Sequence, residues 1–273
     1  MTELQDVLGI DEPGGLDWWG SFALEVGFDV LAWRIGPLSL QARHWPQEWR
    51  LAWRHSGDPQ DTAQAFARAA ELDETDCRVA RFGLRAAGRS LELRPRLADR
   101  SVVVRPDTQL FIPPGEECLI YVSTPAWVEV ATEGGATLTE VPTHRPSDSW
   151  FGANTRDGEL CYASTTLARL RIEDVVRRPH RIVSPVTVRN RAADPLQLER
   201  ISVPVRLLPL YVTARHQLWT QPLVMERAAD GKQGALKLEE LKLPAELEPQ
   251  RIAEARQTAG RQGLLHTLDR LFG

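Results

Sequence analysis

The sequence predicts a mainly β protein: antiparallel β-sandwich architecture, in two lobes or one, with a short helical tail at the C-terminus. Three observations predict it. Apolar and polar residues alternate with period two in many short runs, and Gly, Pro, Asn and Asp turns punctuate those runs. Nothing resembles the strand and helix alternation that a parallel sheet requires. The 273 residues suffice for two ordinary domains or one large all-β domain. Two Pro-punctuated sets of short strands place one lobe over residues 16–142 and a second over 143–240, which leaves 241–273 as the tail.

Taken in order, Phe22, Leu24 and Val26 alternate with Ala23 and Glu25, and Leu31, Trp33 and Ile35 share the next strand face before Gly36-Pro37 breaks it. Leu38, Leu40 and Ala42, then Trp49, Leu51 and Trp53, form a hairpin across a five-residue loop from His44 to Glu48. Six of the nine tryptophans (Trp18, Trp19, Trp33, Trp45, Trp49 and Trp53) fall in this stretch. They could offer an aromatic platform for sugar rings, proline-rich peptide or a membrane interface, but Trp33, Trp49 and Trp53 obey core periodicity, which favours core filling, and Trp45, beside Pro46 at a loop tip, fits that reading least. Asp58-Pro59 and the alanines that follow predict a helix through Leu72.

Strand patterning returns at Ala80, Phe82 and Leu84, at Leu91 and Leu93, at Val102 and Val104, and at 110–112. Cys118 to Ser123 is apolar on both faces and predicts a central strand. A connector from Thr143 to Ser149 leads to Trp150-Phe151-Gly152 and Gly158-Glu159-Leu160-Cys161-Tyr162. Beyond it, Val186 and Val188 begin a further set of strands, with a turn at Asn190 to Pro195 and a change of phase at Glu199-Arg200 that predicts a bulge. Ile252, Ala255 and Ala259, then Leu264, Leu265, Leu268, Leu271 and Phe272, lie at helical offsets.

Composition narrows the function classes. A net charge of −4 with pI about 5.9 lacks the electrostatic footprint of a phosphate-binding protein, so no nucleic-acid partner is expected. The three cysteines, Cys77, Cys118 and Cys161, are far apart and odd in number, which predicts neither a disulfide framework nor a zinc site and suits the cytoplasm. Glu3 and Asp6 with no long apolar core behind them argue against a signal peptide, and no apolar run approaches the roughly 20 residues of a membrane span. None of the usual catalytic or cofactor motifs occurs, so no metal, cofactor or catalytic residue is assigned.

The densest chemistry surrounds the Trp150 to Tyr162 stretch. Asp157 and Glu159 would share one face of an extended chain, where paired carboxylates could do acid/base work or hold a cation, with Trp150 as a platform for a small ligand or sugar. Cys161 beside Arg169 or His180 could be an activated thiolate. The plainer and preferred reading is a glycine turn with solvated acids and a buried thiol. Arg177 to Arg181 reads as a solvated loop before it reads as an anion site. Trp45, Leu264, Leu268, Leu271 and Phe272 are the candidates for contact with a partner, the last four as a terminal stripe laid into a groove or docked on the chain's own sheet.

Four stretches carry a family resemblance: Trp33-Arg34-Ile35-Gly36-Pro37-Leu38, Ser149-Trp150-Phe151-Gly152, Gly158-Glu159-Leu160-Cys161-Tyr162 and Arg178-Pro179-His180-Arg181. Over nearly its whole length the chain resembles an uncharacterised domain-of-unknown-function family of archaea and bacteria. Members are associated with genes for small-conductance mechanosensitive channels, so the resemblance implies such a channel as a partner and supplies no catalytic residue. The leading reading is a non-catalytic cytoplasmic interaction or regulatory protein that binds a protein partner or itself. The alternative is a small-ligand or carbohydrate site, hydrolytic or not, around Trp150 to Cys161.

Overall fold

A computed structural model describes residues 17–24, 30–69, 71–85, 88–152, 156, 158–231, 233–241, 247–258, 264–267 and 272. Among the described residues every regular element except two single 3-10 turns is a strand. In chain order these are β1 (Gly20–Ala23), β2 (Val30–Ile35), β3 (Leu38–Trp45), β4 (Glu48–His55), β5 (Gln64–Ala69), β6 (Arg78–Gly83), β7 (Ser90–Arg96) and β8 (Val102–Pro106). Next come β9 (Leu110–Ile112), β10 (Glu117–Pro125), β11 (Trp127–Thr132), β12 (Thr137–Pro142), β13 (Ser147–Gly152), β14 (Gly158–Thr166), β15 (Arg181–Asn190) and β16 (Leu196–Leu198). The last are β17 (Ile201–Val203), β18 (Leu210–Val212), β19 (Leu218–Thr220), β20 (Leu223–Arg227), β21 (Gln233–Leu238), β22 (Gln250–Ala253) and β23 (Leu264–Thr267).

The chain divides into two compact units, each discontinuous in sequence. The first takes Met1–Arg96, Ala126–His144 and Arg178–His180; the second takes Leu97–Pro125, Arg145–Arg177 and Arg181–Gly273.

In the first unit a five-stranded antiparallel sheet runs β5-β2-β3-β4-β6 and a four-stranded one runs β1-β7-β11-β12. Period two decides the inward face of the larger sheet: Leu31, Trp33 and Ile35 of β2, Leu38, Leu40 and Ala42 of β3, and Trp49 and Leu51 of β4 are all buried. Cross-strand register puts Trp33 opposite Leu40, and Leu40 opposite Trp53. The two sheets meet through aromatics, with the Phe22 ring of β1 5.1 Å from Trp33 and 5.0 Å from Phe66. The β3–β4 hairpin is tighter than expected. Trp45 pairs directly with Glu48, so Pro46-Gln47 is the whole loop.

The predicted helix after Asp58 does not form. Asp58 and Asp61 each accept a backbone N–H two residues on, from Gln60 and Ala63, and these two local turns swing the chain into β5, which pairs with β2 along its length. Ladder pairing and cross-strand contact outweigh the helix propensity of Ala65, Ala67 and Ala69.

The second unit holds an eight-stranded sheet, a four-stranded sheet in the order β13-β14-β8-β17, and the β9–β16 pair. β15 organises the large sheet. Antiparallel β10 covers one of its edges, while β19 and then β20 run parallel along the other. β14 also runs parallel to β8, so this unit mixes directions without crossover helices among the described residues. β10 is less central than its two apolar faces suggest. Its second edge is met by one isolated bridge, Tyr121 to Arg169, and Leu119 is exposed.

No helix forms among the described residues of the C-terminal tail. β22 pairs with β18 and β23 with β21, each extending an edge of the large sheet. Available edge N–H and C=O groups satisfy these segments as strands and override their helical spacing. At Glu199-Arg200 the phase changes because the chain changes sheet, from β16 paired with β9 to β17 paired with β8, and no bulge is involved.

Candidate functional site

The Trp150 stretch forms the β13–β14 hairpin, with β13 at the edge of its sheet. Antiparallel register places Trp150 opposite Leu160, Asp148 opposite Tyr162, and Gly152 opposite Gly158 on one face. Ser149 opposite Cys161 and Phe151 opposite Glu159 fall on the other. The predicted ligand residues are therefore divided by the sheet itself.

On the outer face Trp150 is 46% and Leu160 48% exposed. Gly158 makes room for the indole, since a Cβ there would fall 2.6 Å from Trp150 Nε1. Asp148 accepts from Arg100 at 3.0 Å and pairs with Arg145 at 3.4 Å. The Arg100 guanidinium also lies 5.2 Å over the Tyr162 ring, whose hydroxyl donates to Asp99 at 2.9 Å. Burial, with that hydrogen bond second, raises the Tyr162 pKa.

On the inner face Phe151 and Cys161 pack with Val103 in a buried cluster. Burial, followed by the Glu159 charge and a hydrogen bond with the Glu159 side chain, pushes the Cys161 thiol up to about 12, and Sγ also donates to the Glu159 carbonyl at 3.5 Å. That is a neutral, inert thiol, the opposite of an activated thiolate. Glu159 pairs with Arg206 at 3.1 Å. Asp157 lies outside the described residues.

His180 belongs to the first unit and the hairpin to the second. Its ring packs against Gly36, where a Cβ would fall 2.4 Å from Nδ1, and Nε2 donates to the Pro59 carbonyl at 3.2 Å. The neighbouring Pro179 carbonyl accepts from Trp18 Nε1 at 2.9 Å, and the His180 carbonyl accepts from Ala126 N and Thr143 Oγ1, each at 2.9 Å. Asp61 lies near the ring and is paired with Arg34. Burial opposes ionisation of Asp61 most strongly, but the Ala63 N–H and Arg34 together hold its carboxyl below the ordinary value. Pro179 to Arg181 is thus buried structure in place of the expected solvated loop, and Arg181 donates from its guanidinium to Ser123 Oγ and O.

The candidate partner residues are divided between the two units. Trp45 is half-buried under the Arg43 guanidinium, 5.2 Å from the ring centre. Leu264 opens β23 and pairs with Leu236, though its side chain, like all of Leu268 and Leu271, lies outside the described residues. Phe272 is buried in its own chain. Sequence reasoning missed Leu160 as a site residue, because which side chains share the face of Trp150 is set by the hairpin register, and that comes only from the structure. Among the described residues, no group of three or more His, Cys, Asp or Glu is gathered in metal-binding proximity, and no helix is long and apolar enough to cross a membrane.

Strand order and hairpin together define a mainly β protein, its strands paired mostly antiparallel, that presents an aromatic and aliphatic pair on an edge hairpin. The chain belongs to the family described as protein of unknown function (DUF432), whose model matches residues 18–272. No curated protein and no solved structure matches it.

Proposed function

We propose that this chain is a non-catalytic interaction protein whose docking surface is the outer face of the β13–β14 hairpin. One observation carries the reading: Trp150 and Leu160 stand directly opposite each other, each nearly half exposed, on the edge hairpin of a sheet. An exposed Trp beside an aliphatic, rimmed by Asp148, Arg100 and Arg145, has the composition of an interface centre with a polar rim. We read the first unit as a β-sandwich closed by Phe22, Trp33 and Phe66, the scaffold of a binding module. The partner is a protein. The sequence resemblance to proteins associated with small-conductance mechanosensitive channel genes nominates such a channel in the cytoplasm.

The test is capture of a detergent-solubilised small-conductance mechanosensitive channel by the full chain, compared with a Trp150→Ala/Leu160→Ser variant. Wild-type capture that the variant loses, with an unchanged melting temperature, supports the reading. Capture that survives the double substitution removes the hairpin as the docking surface.

A further inference from the structure

Residues 167–177, which link β14 toward β15, show a second surface of different chemistry. Not one of these eleven residues is buried. Leu167 is 45%, Leu170 55% and Val176 64% exposed, an unusual display of aliphatic side chains on a short segment. The segment is nonetheless anchored to the second unit. Tyr121 and Arg169 exchange backbone hydrogen bonds at 2.7 and 3.1 Å, Ile172–Asp174 forms a 3-10 turn, and Arg177 Nε donates to the His216 carbonyl at 3.3 Å. Its apolar side chains are held outward by a fixed backbone.

Arginines interleave with them. Arg169, Arg171 and Arg177 lie within the segment, and the bond to His216 brings the exposed Arg215 turn alongside. Of the two acids, Glu173 is engaged by Arg171 at 3.3 Å, and Asp174 remains as a countercharge. Residues 167–177 themselves include no aromatic anchor of the kind that marks protein hot spots, where Leu and Val are under-represented. Exposed aliphatics interspersed along the chain with exposed arginines match a surface that is apolar below and anionic above.

We propose that residues 167–177 are a peripheral membrane-contact segment. Leu167, Leu170 and Val176 enter the headgroup and acyl boundary of an anionic bilayer, while Arg169, Arg171, Arg177 and Arg215 meet lipid phosphates. This surface is independent of the Trp150 hairpin and stands or falls without it.

Co-sedimentation of the full chain with vesicles tests it, using phosphatidylcholine alone and phosphatidylcholine mixed with phosphatidylglycerol. Binding is expected to the mixed vesicles only and to fall with added salt. A Leu167→Ser/Leu170→Ser/Val176→Ser variant should lose about tenfold or more in partitioning, because each buried methylene contributes. Arg169→Glu/Arg171→Glu should lose binding as well, and both variants alter exposed side chains, so melting temperature checks their folding. Equal binding to neutral vesicles, no binding, or an unaffected aliphatic variant overturns the proposal. A variant that binds vesicles normally but fails to capture a channel protein reassigns the segment to a protein contact and overturns it too.

Discussion

The imidazole of His180 lies against Gly36, 144 residues earlier in the chain, so closely that a single methyl group on Gly36 would fall 2.4 Å from Nδ1 and 2.8 Å from the Asp61 carbonyl. Gly36 also has φ +55° at the first position of the two-residue β2–β3 turn, a conformation other residues resist. Two of the stretches that carry the family resemblance therefore meet at one point. Gly36→Ala adds steric overlap to backbone strain and should destabilise the fold by about 3 kcal/mol or more. Urea unfolding of G36A, H180A and the double variant checks this. The double variant should lose less than the sum of the singles, because removing the ring frees much of the space the methyl needs.

His44 provides a pH-dependent test of the first unit. Its ring is buried, stacks on Trp49 with centroids 4.3 Å apart, and neither nitrogen has a hydrogen-bond partner among the described residues. Burial first, and the Arg89 charge second, lower its pKa. A base with a depressed native pKa is protonated first in the unfolded chain, so stability is full above the ordinary His value of about 6.5 and drains as pH falls from there toward the native value. The urea midpoint should accordingly drop between pH 7 and pH 5, roughly the window below the ordinary His value. His44→Phe keeps a ring on Trp49, flattens that part of the profile, and should gain about 1 kcal/mol at neutral pH by removing two unsatisfied nitrogens. A His44→Phe profile as steep as wild type would assign the acid loss to other groups.

Where period two coincided with ladder pairing, the fold was legible from residues alone. Leu38 to Arg43 alternates in sequence and alternates buried with half-buried in space, whereas His44 and Trp45, expected in the loop, continue the strand with the polar ring inward. Legibility failed where local preference and tertiary context disagreed. Ala65, Ala67 and Ala69 favour helix, yet they sit in β5 because β2 offers a full ladder of partners. Leu264 and Leu265 have helical offsets but pair with Leu236 and Ala235 of β21. Parallel contacts of β15 with β19 and β20 had no readable signature, since the usual crossover helices are absent among the described residues. At the candidate site the hairpin itself was visible in its paired glycines. The division of Trp150 from Glu159 and Cys161 followed from register, which a glycine-rich turn of uncertain length does not specify.

Cys161 should behave as a core thiol. Held up to about 12, it contributes almost no thiolate at neutral pH, and its burial with Val103 and Phe151 blocks access. Native iodoacetamide treatment followed by intact-mass measurement should modify the partly exposed Cys77 and Cys118 slowly, their thiols also being raised mainly by burial, and leave Cys161 unmodified. A third adduct should appear only in denaturant. Labelling of Cys161 in the native protein as fast as that of Cys77 would show that the inner face of the hairpin opens.

Gly158 controls the exposed pair from beneath. A Cβ there would meet Trp150 Nε1 at 2.6 Å and Cε2 at 2.8 Å on one side and the Phe151 carbonyl at 2.7 Å on the other, so Gly158→Ala must move both the indole and the β13 backbone. The expected cost is about 1 to 3 kcal/mol, the range for overpacking. Fluorine NMR of 5-fluorotryptophan-labelled protein isolates the effect, with the Trp150 resonance assigned by Trp150→Phe. Gly158→Ala should shift and broaden that one line while leaving the buried Trp18, Trp33, Trp49 and Trp219 unmoved, and it should weaken partner capture in proportion. A shifted Trp150 line with undiminished capture would separate the indole from docking and leave Leu160 and the Asp148 rim to carry the contact.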